Sequence, residues 1–458
     1  MRVVQVSDWS IPQNSYNNVH NIFYIIPPEQ FFDEHPNWYT TSDPNGLTNA
    51  QACFSAHTDL LDENSDKTEY NALINEFVNV IKKGIINTNA EIFPISQRDN
   101  KGFCNCSSCN KISNYYGAKS SLLILLCNRL SDEINAWFET EEGRPYKRDV
   151  KIMFLAYQDV EAAPSIYNSE TDEYIVRHEE MKCRDNVGVY IASLGIYNTY
   201  DFTNEINLKL KENIKAWSAL TNKFMFWTYD VNFQNYFYPS DSWHIRKESY
   251  QFLAESGTLV LNDQGQTQNV GSCTAWDNLK GYLSTKLRWN VNADLLALTK
   301  RYFEVCYKDA SDTMYNLYLQ YLAHANEIKV KFENDEYGGK INQGAIGDIF
   351  GGLANSVLWE KPMLVSWYNQ YLQALKDLEP LKETSPSDYE KAYQMVSAEL
   401  VSPLFMLIKL YGTSYSAETL TQLKTDFKYY CTVAKINYYK DSYANGGIEN
   451  LYKELGIE

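Results

Sequence analysis

Five short runs rich in β-branched and aromatic residues, separated by longer amphipathic stretches, constrain the fold of this 458-residue chain more than any other feature. The runs lie at 91–95, 151–155, 187–191, 224–227 and 258–261. Each is apolar without alternation, as a strand buried on both faces of a parallel sheet must be. Between them, apolar residues recur at three- and four-residue spacing near 120–139, 204–220, 243–255 and 276–289, and a further helix near 69–84 precedes the first run. Strand and helix in turn make repeated βα units, because parallel strands need such crossovers.

The predicted architecture is a (β/α)8 TIM-type barrel that lacks its first strands. Counted back from the last run, the five become strands four to eight, and residues 19–26 supply one more. Region 1–26 then holds fewer than the three strands a closed barrel still needs, so a truncated chain is expected. Beyond about residue 300 the strand pattern stops, and amphipathic stretches near 310–332, 353–378, 387–411 and 418–437 predict a helical bundle. Breaks at Glu379-Pro380 and Ser385-Pro386 separate its helices. The expected domains are a partial barrel over 1–300 and an all-α domain over 301–458.

Charge narrows the function classes. A formal net charge of -17 repels phosphate backbones and leaves no basic stripe, which excludes nucleic acid as a partner. No run of about 18 apolar residues is present, so no membrane span is expected. Residues 1–7 carry no apolar h-region, and no secretion signal is encoded there. The chain holds 36 Tyr and 10 Trp, whose faces suit stacking on sugar rings; an AT-rich genome, which also enriches Asn, Lys and Ile, accounts for them equally well.

Several local patterns, taken in order, resemble one family. They are His20 with Phe23 and Pro27; Phe31-Phe32-Asp33-Glu34-His35-Pro36-Asn37-Trp38-Tyr39; Gln51-Ala52-Cys53-Phe54-Ser55; and Ser96-Gln97-Arg98-Asp99-Asn100-Lys101-Gly102-Phe103-Cys104-Asn105-Cys106 with Cys109. Leu155-Ala156-Tyr157, Trp227-Thr228-Tyr229-Asp230 with Asn232, and Lys286-Leu287-Arg288-Trp289-Asn290 continue the match over roughly residues 20–310. The sequence resembles the family catalogued as domain of unknown function 4838, which overlaps glycoside hydrolase family 163 and its endo-β-N-acetylglucosaminidases of N-glycans. The resemblance implies a barrel with an additional amino-terminal domain and a glycan substrate, and it allows a secreted or cell-surface setting. Where the family tends to read Glu-Gln-Gly after the eighth strand, this chain reads Asp263-Gln264-Gly265, one methylene shorter.

Glycoside hydrolysis needs an acid for the leaving oxygen and a second group at the anomeric carbon, usually two carboxylates, and barrel enzymes carry such groups at strand carboxyl ends. Asp99 follows the first of the five runs inside the most specific motif and is the first choice for catalysis. Asp230 and Asp263 follow the last two, across the expected barrel mouth; each is also a residue type that caps turns and helices. If the sugar bears a 2-acetamido group, its own carbonyl is the nucleophile, and the protein supplies an acid plus a carboxylate that polarises the amide. His20, Tyr157, Trp227, Tyr229 and Asn232 are the substrate-binding candidates, with rim packing as the rival role for the aromatics. The leading expectation is a hydrolase of β-linked N-acetylglucosamine glycans needing no cofactor for catalysis; the alternatives are a noncatalytic glycan-binding protein and an inactive truncated homologue.

Cys104, Cys106 and Cys109 put three thiols close enough for one metal, with Cys183 as the candidate fourth ligand. Zinc held by four thiolates has no open position for chemistry and would be a structural staple. A disulfide with a free thiol, or reduced core thiols, are the rival readings. The total of nine cysteines is odd, so no fully paired framework exists within one chain.

Overall fold

The computed structural model describes residues 19–192, 194–243, 245–266, 268–269, 271–341, 349–351 and 355–457. Residues 1–18, on which the expected truncated barrel start and the expected lack of a secretion signal fall, lie outside them. In chain order the helices are α1 (Ile22–Ile25), α2 (Pro28–Phe31), α3 (Thr68–Asn87), α4 (Ser107–Tyr116), α5 (Ser121–Phe138), α6 (Leu208–Ser218), α7 (Arg246–Glu255), α8 (Asp277–Trp289), α9 (Leu295–Tyr307), α10 (Ser311–Glu333), α11 (Lys361–Asp377), α12 (Leu381–Thr384), α13 (Pro386–Tyr411), α14 (Ala417–Val433) and α15 (Ile448–Leu455). The strands are β1 (Ile92–Ile95), β2 (Lys151–Ala156), β3 (Ser165–Asn168), β4 (Glu173–Val176), β5 (Val187–Ala192), β6 (Phe224–Tyr229) and β7 (Thr258–Gln264).

The five expected strands form one parallel sheet in the order β1-β2-β5-β6-β7. The eight-stranded barrel is overturned. Closure requires every strand to have two neighbours, whereas among the described residues β1 and β7 each have one. Residues 19–26, expected as a further strand, turn into α1 instead. Their polar groups cap the β1 edge without continuing the ladder: the Ile22 N–H donates to the Ser96 carbonyl, and Asn21 Nδ2 donates to the Pro94 carbonyl. Pro94 lacks an N–H, and a proline inside a strand is confined to edges. The antiparallel hairpin β3-β4 was not anticipated, because its strands are short and half exposed.

The chain divides into two compact units. The first comprises Met1–Ser193, Leu208–Thr228 and Leu253–Asn262. Its core is the sheet with α3, α5 and α6 around it. Helix α3 buries Leu73, Ile74, Phe77, Val78, Ile81 and Ile85, the stripe its spacing foretold, and Phe93, Phe154, Trp217 and Phe224 are fully buried. Each such side chain contributes about 1.5–3 kcal/mol relative to exposure.

The second unit comprises Leu194–Asn207, Tyr229–Phe252 and Asp263–Glu458. Helix α13 runs through its centre between α11 and α14, with 396–408 buried on every side. The segment Pro386–Ser414 is long and apolar enough to cross a membrane on length and composition, but its most apolar stretch is mostly buried inside the protein. Trp276 is the other centre. Its ring packs among Phe303, Tyr307, Tyr318 and Tyr321 at centroid distances of 5.6–6.4 Å, its φ of 64° is left-handed, and its N–H donates to Glu399 Oε2 at 2.7 Å. That buried hydrogen bond holds a conformation that costs a non-glycine residue of order 1–3 kcal/mol.

Candidate functional site

In the first unit, Asp99 lies four residues beyond β1, on an exposed turn. Its Oδ1 accepts from the Tyr157 hydroxyl at 3.2 Å and from Gln158 Nε2 at 3.4 Å, both just past the end of β2. Adjacent parallel strands deliver these groups to one end of the sheet, since β1 and β2 run in register from Ile92 against Lys151 to Ile95 against Phe154. Burial, and then the Asp99 charge, push the Tyr157 hydroxyl up to about 12, so at neutral pH it is a proton-bearing donor. His20 joins the group: its Nδ1 donates to the Gln97 carbonyl at 2.8 Å, and its ring lies 6.0 Å from that of Tyr157. Gln97 Nε2 donates to the Tyr157 carbonyl at 3.2 Å.

The turn carrying Asp99 is clamped by the segment 47–51. The Arg98 guanidinium donates to the carbonyls of Leu47, Thr48 and Ala50 at 2.9–3.1 Å. Gln51 receives the Arg98 N–H at 2.9 Å and donates to the Arg98 carbonyl at 2.7 Å. Gly102 closes the turn where a Cβ would meet the Asn49 carbonyl at 3.1 Å. A carboxylate on an exposed turn is thus held by the buried Tyr157, and its turn is braced by the buried Gln51, the kind of support a positioned site group needs.

Beside this turn, Cys53, Cys104, Cys106 and Cys109 bring their sulfurs within 4.8 Å of one another. Cys183, expected as the fourth, is not among them. It lies at the start of the turn leading into β5, its N–H bonded to the Leu220 carbonyl, and burial pushes its thiol up to about 12. The place is taken by Cys53, and all nine cysteines are free of disulfides.

In the second unit, Asp230 directly follows β6, Asp263 is the penultimate residue of β7, and Arg246 at the start of α7 bridges them. Its guanidinium meets Asp263 Oδ2 at 2.8 Å and pairs with Asp230 Oδ2. Asp263 Oδ2 also accepts from the Tyr250 and Ser284 hydroxyls at 2.5 and 2.6 Å. Asp230 has Ser242 on Oδ1 and Lys280 Nζ at 3.7 Å. Burial raises the Asp230 carboxyl against the pull of Arg246 and Lys280, and those same carboxylates outweigh burial to raise Arg246. Two buried carboxylates therefore share Arg246, with Lys280 beside Asp230.

Of the binding candidates, Trp227 stacks on Tyr190 at 6.0 Å within the first unit. In the second, Tyr229 meets Phe233 edge-on at 5.6 Å, and Asn232 spends its amide on the Gly351 carbonyl and the N–H groups of Gln234 and Asn235. His20, Tyr157 and Asp99 come together in one constellation.

A family model described as "Domain of unknown function (DUF4838)" matches residues 3–320, more than half of the chain. The chain belongs to the DUF4838 family. No curated protein matches it.

Three participants in this DUF4838 chain escaped sequence reasoning: Arg246, Gln51 and Cys53. Arg246 stands in a polar stretch with no marker of burial. Gln51 and Cys53 carried a signal, since both sit in one of the short motifs shared with the family.

Proposed function

We propose that this DUF4838 chain is glycoside-hydrolase-like, acting on β-linked N-acetylglucosamine-containing glycans, with Asp99 as the carboxylate that meets the sugar. The supporting observation is the Asp99–Tyr157–Gln158 group. Of the three strand-end aspartates, Asp99 is the exposed one, and it makes no ion pair among the described residues. Two donors hold its Oδ1, and Oδ2 stays open to accept a substrate N–H or hydroxyl. That suits a carboxylate polarising an acetamide whose carbonyl attacks the anomeric carbon. Tyr157 and His20 are read as substrate-binding. Asp230 and Asp263, shared by Arg246, are read as positioning groups. Such a reaction needs no cofactor, and the four-thiol cluster is read as structural.

Incubation with released and protein-linked N-glycans, with products analysed by mass spectrometry, tests the reading; cleavage within the chitobiose core is expected, and Asp99→Asn should abolish it. Undiminished turnover in that variant would remove Asp99 from the mechanism. The burial of Asp230 and Asp263 favours a second reading, a noncatalytic glycan-binding protein. Calorimetric titration beside the product assay separates the two: binding without any cleavage supports the second reading, and cleavage eliminates it.

A further inference from the structure

We propose that Cys53, Cys104, Cys106 and Cys109 bind one zinc ion as a closed tetrathiolate site that fastens the segment 51–58 to the loop following β1. This goes beyond the hydrolase reading and does not depend on it.

The spacing of the sulfurs is the first argument. Cys53 Sγ lies 3.6 Å from Cys109 Sγ and 3.9 Å from Cys106 Sγ. Four sulfurs at the usual Zn–S distance define a tetrahedron with an edge of about 3.8 Å. A disulfide would need about 2.0 Å. Four thiols within 4.8 Å of one another in a largely buried site are poorly served by one another, because each S–H is a weak donor and each sulfur a weak acceptor.

Polar groups around the sulfurs supply the second argument. The Cys109 N–H donates to Cys106 Sγ at 3.4 Å, and the His57 N–H donates to Cys53 Sγ at 3.4 Å. Ser55 Oγ lies 3.2 Å from Cys109 Sγ. Cys106 is the N-cap of α4, where the free N–H groups of a helix start favour a thiolate. Ala56 and His57 are both left-handed, with φ of 46° and 58°, and this turn carries the chain back over Cys53.

Zinc fits the donor set better than the harder divalent cations, which take oxygen ligands. Because all four positions are filled by protein, the ion has no vacancy for substrate. It ties Cys53, two residues from the Gln51 clamp, to the loop that begins at Asp99.

The full chain, purified under reducing conditions, should carry one zinc per molecule by elemental analysis. The metal-free chain titrated anaerobically with cobalt should develop the sulfur-to-metal charge-transfer absorption of four thiolates at one equivalent. Cys53→Ser should lose the zinc to a chelator at least tenfold faster, and Cys183→Ser should retain it. Zinc retention unchanged in Cys53→Ser, iron in place of zinc, or a chain with neither bound metal nor a tetrathiolate cobalt spectrum would each overturn the proposal. If Cys53→Ser does not fold, the intensity of the cobalt band in the unmodified chain still distinguishes four thiolates from three.

Discussion

At the scale of single residues, Asp99 and Glu399 are carboxylates put to opposite uses. Asp99 is exposed and held by neutral donors. Loss of its charge in Asp99→Asn should lower kcat/KM at least ~100-fold, the ordinary weight of an acid–base or polarising group. Tyr157→Phe removes one hydrogen bond to a charged acceptor, worth about 1.5–3 kcal/mol, and should cost roughly 10- to 100-fold. Steady-state kinetics on a cleaved glycan reads both, and wild-type rates in either variant would dismiss that residue. Glu399 is buried, and burial pushes it up to about 8 from an ordinary 4.5. The folded chain therefore keeps a proton that the unfolded chain releases, so stability falls as pH rises from the ordinary value through about 8. Asp277 acts in the same sense but only up to about 6. Between pH 6 and 8 Glu399 contributes a loss of about 2–3 kcal/mol, which urea unfolding reads as the difference between the parent and Glu399→Gln. Parallel pH profiles for the two proteins would refute this. Asp99, Tyr157 and His20 were legible because each stands near a recognisable run in a specific motif. Glu399 was not, since the burial that perturbs it depends on helices far apart in sequence.

At the scale of elements, the strands were legible because a parallel strand buried on both faces is written as an unbroken apolar run. Helix α4 was missed, as its Ser, Asn and Cys residues look like a loop until Cys106 is seen to cap it. The hold on the ends of β6 and β7 was also invisible. It includes a backbone bond, the Asp230 N–H to the Gln264 carbonyl at 2.8 Å, and the Arg246 bridge. Arg246→Leu removes the guanidinium that two buried carboxylates share and should destabilise the protein by about 3–5 kcal/mol in chemical denaturation. Arg246→Lys should recover only part, because an ammonium cannot span both acids as a planar guanidinium does. A leucine variant as stable as the parent would show that the cluster has no net structural value.

At the scale of the whole molecule, the net charge of -17 dominates. Unpaired like charges repel across a surface, and salt shortens their reach from about 30 Å at 0.01 M to about 8 Å at 0.15 M. Over that range Tm should rise by about 2–4 °C, the shift expected for roughly 1 kcal/mol in a domain of this size. Scanning fluorimetry at several salt concentrations tests it; a fall in Tm would mean that attractive pairs outweigh the excess negative charge.

The sequence by itself determined the five strands, most of the helices between and after them, the acidic surface, and the motif that carries Asp99 and three of the four clustered thiols. These are local or additive properties, set by side-chain period and by counting. Tertiary structure decided whether the sheet closed, which cysteine came fourth, and which aspartates stayed exposed. Each of those depends on segments distant in sequence meeting in space: residues 19–22 on the β1 edge, Cys53 against Cys106 and Cys109, and Arg246 between Asp230 and Asp263. Periodicity carries no record of such meetings, because it reports which face of an element is buried and not what is buried against it.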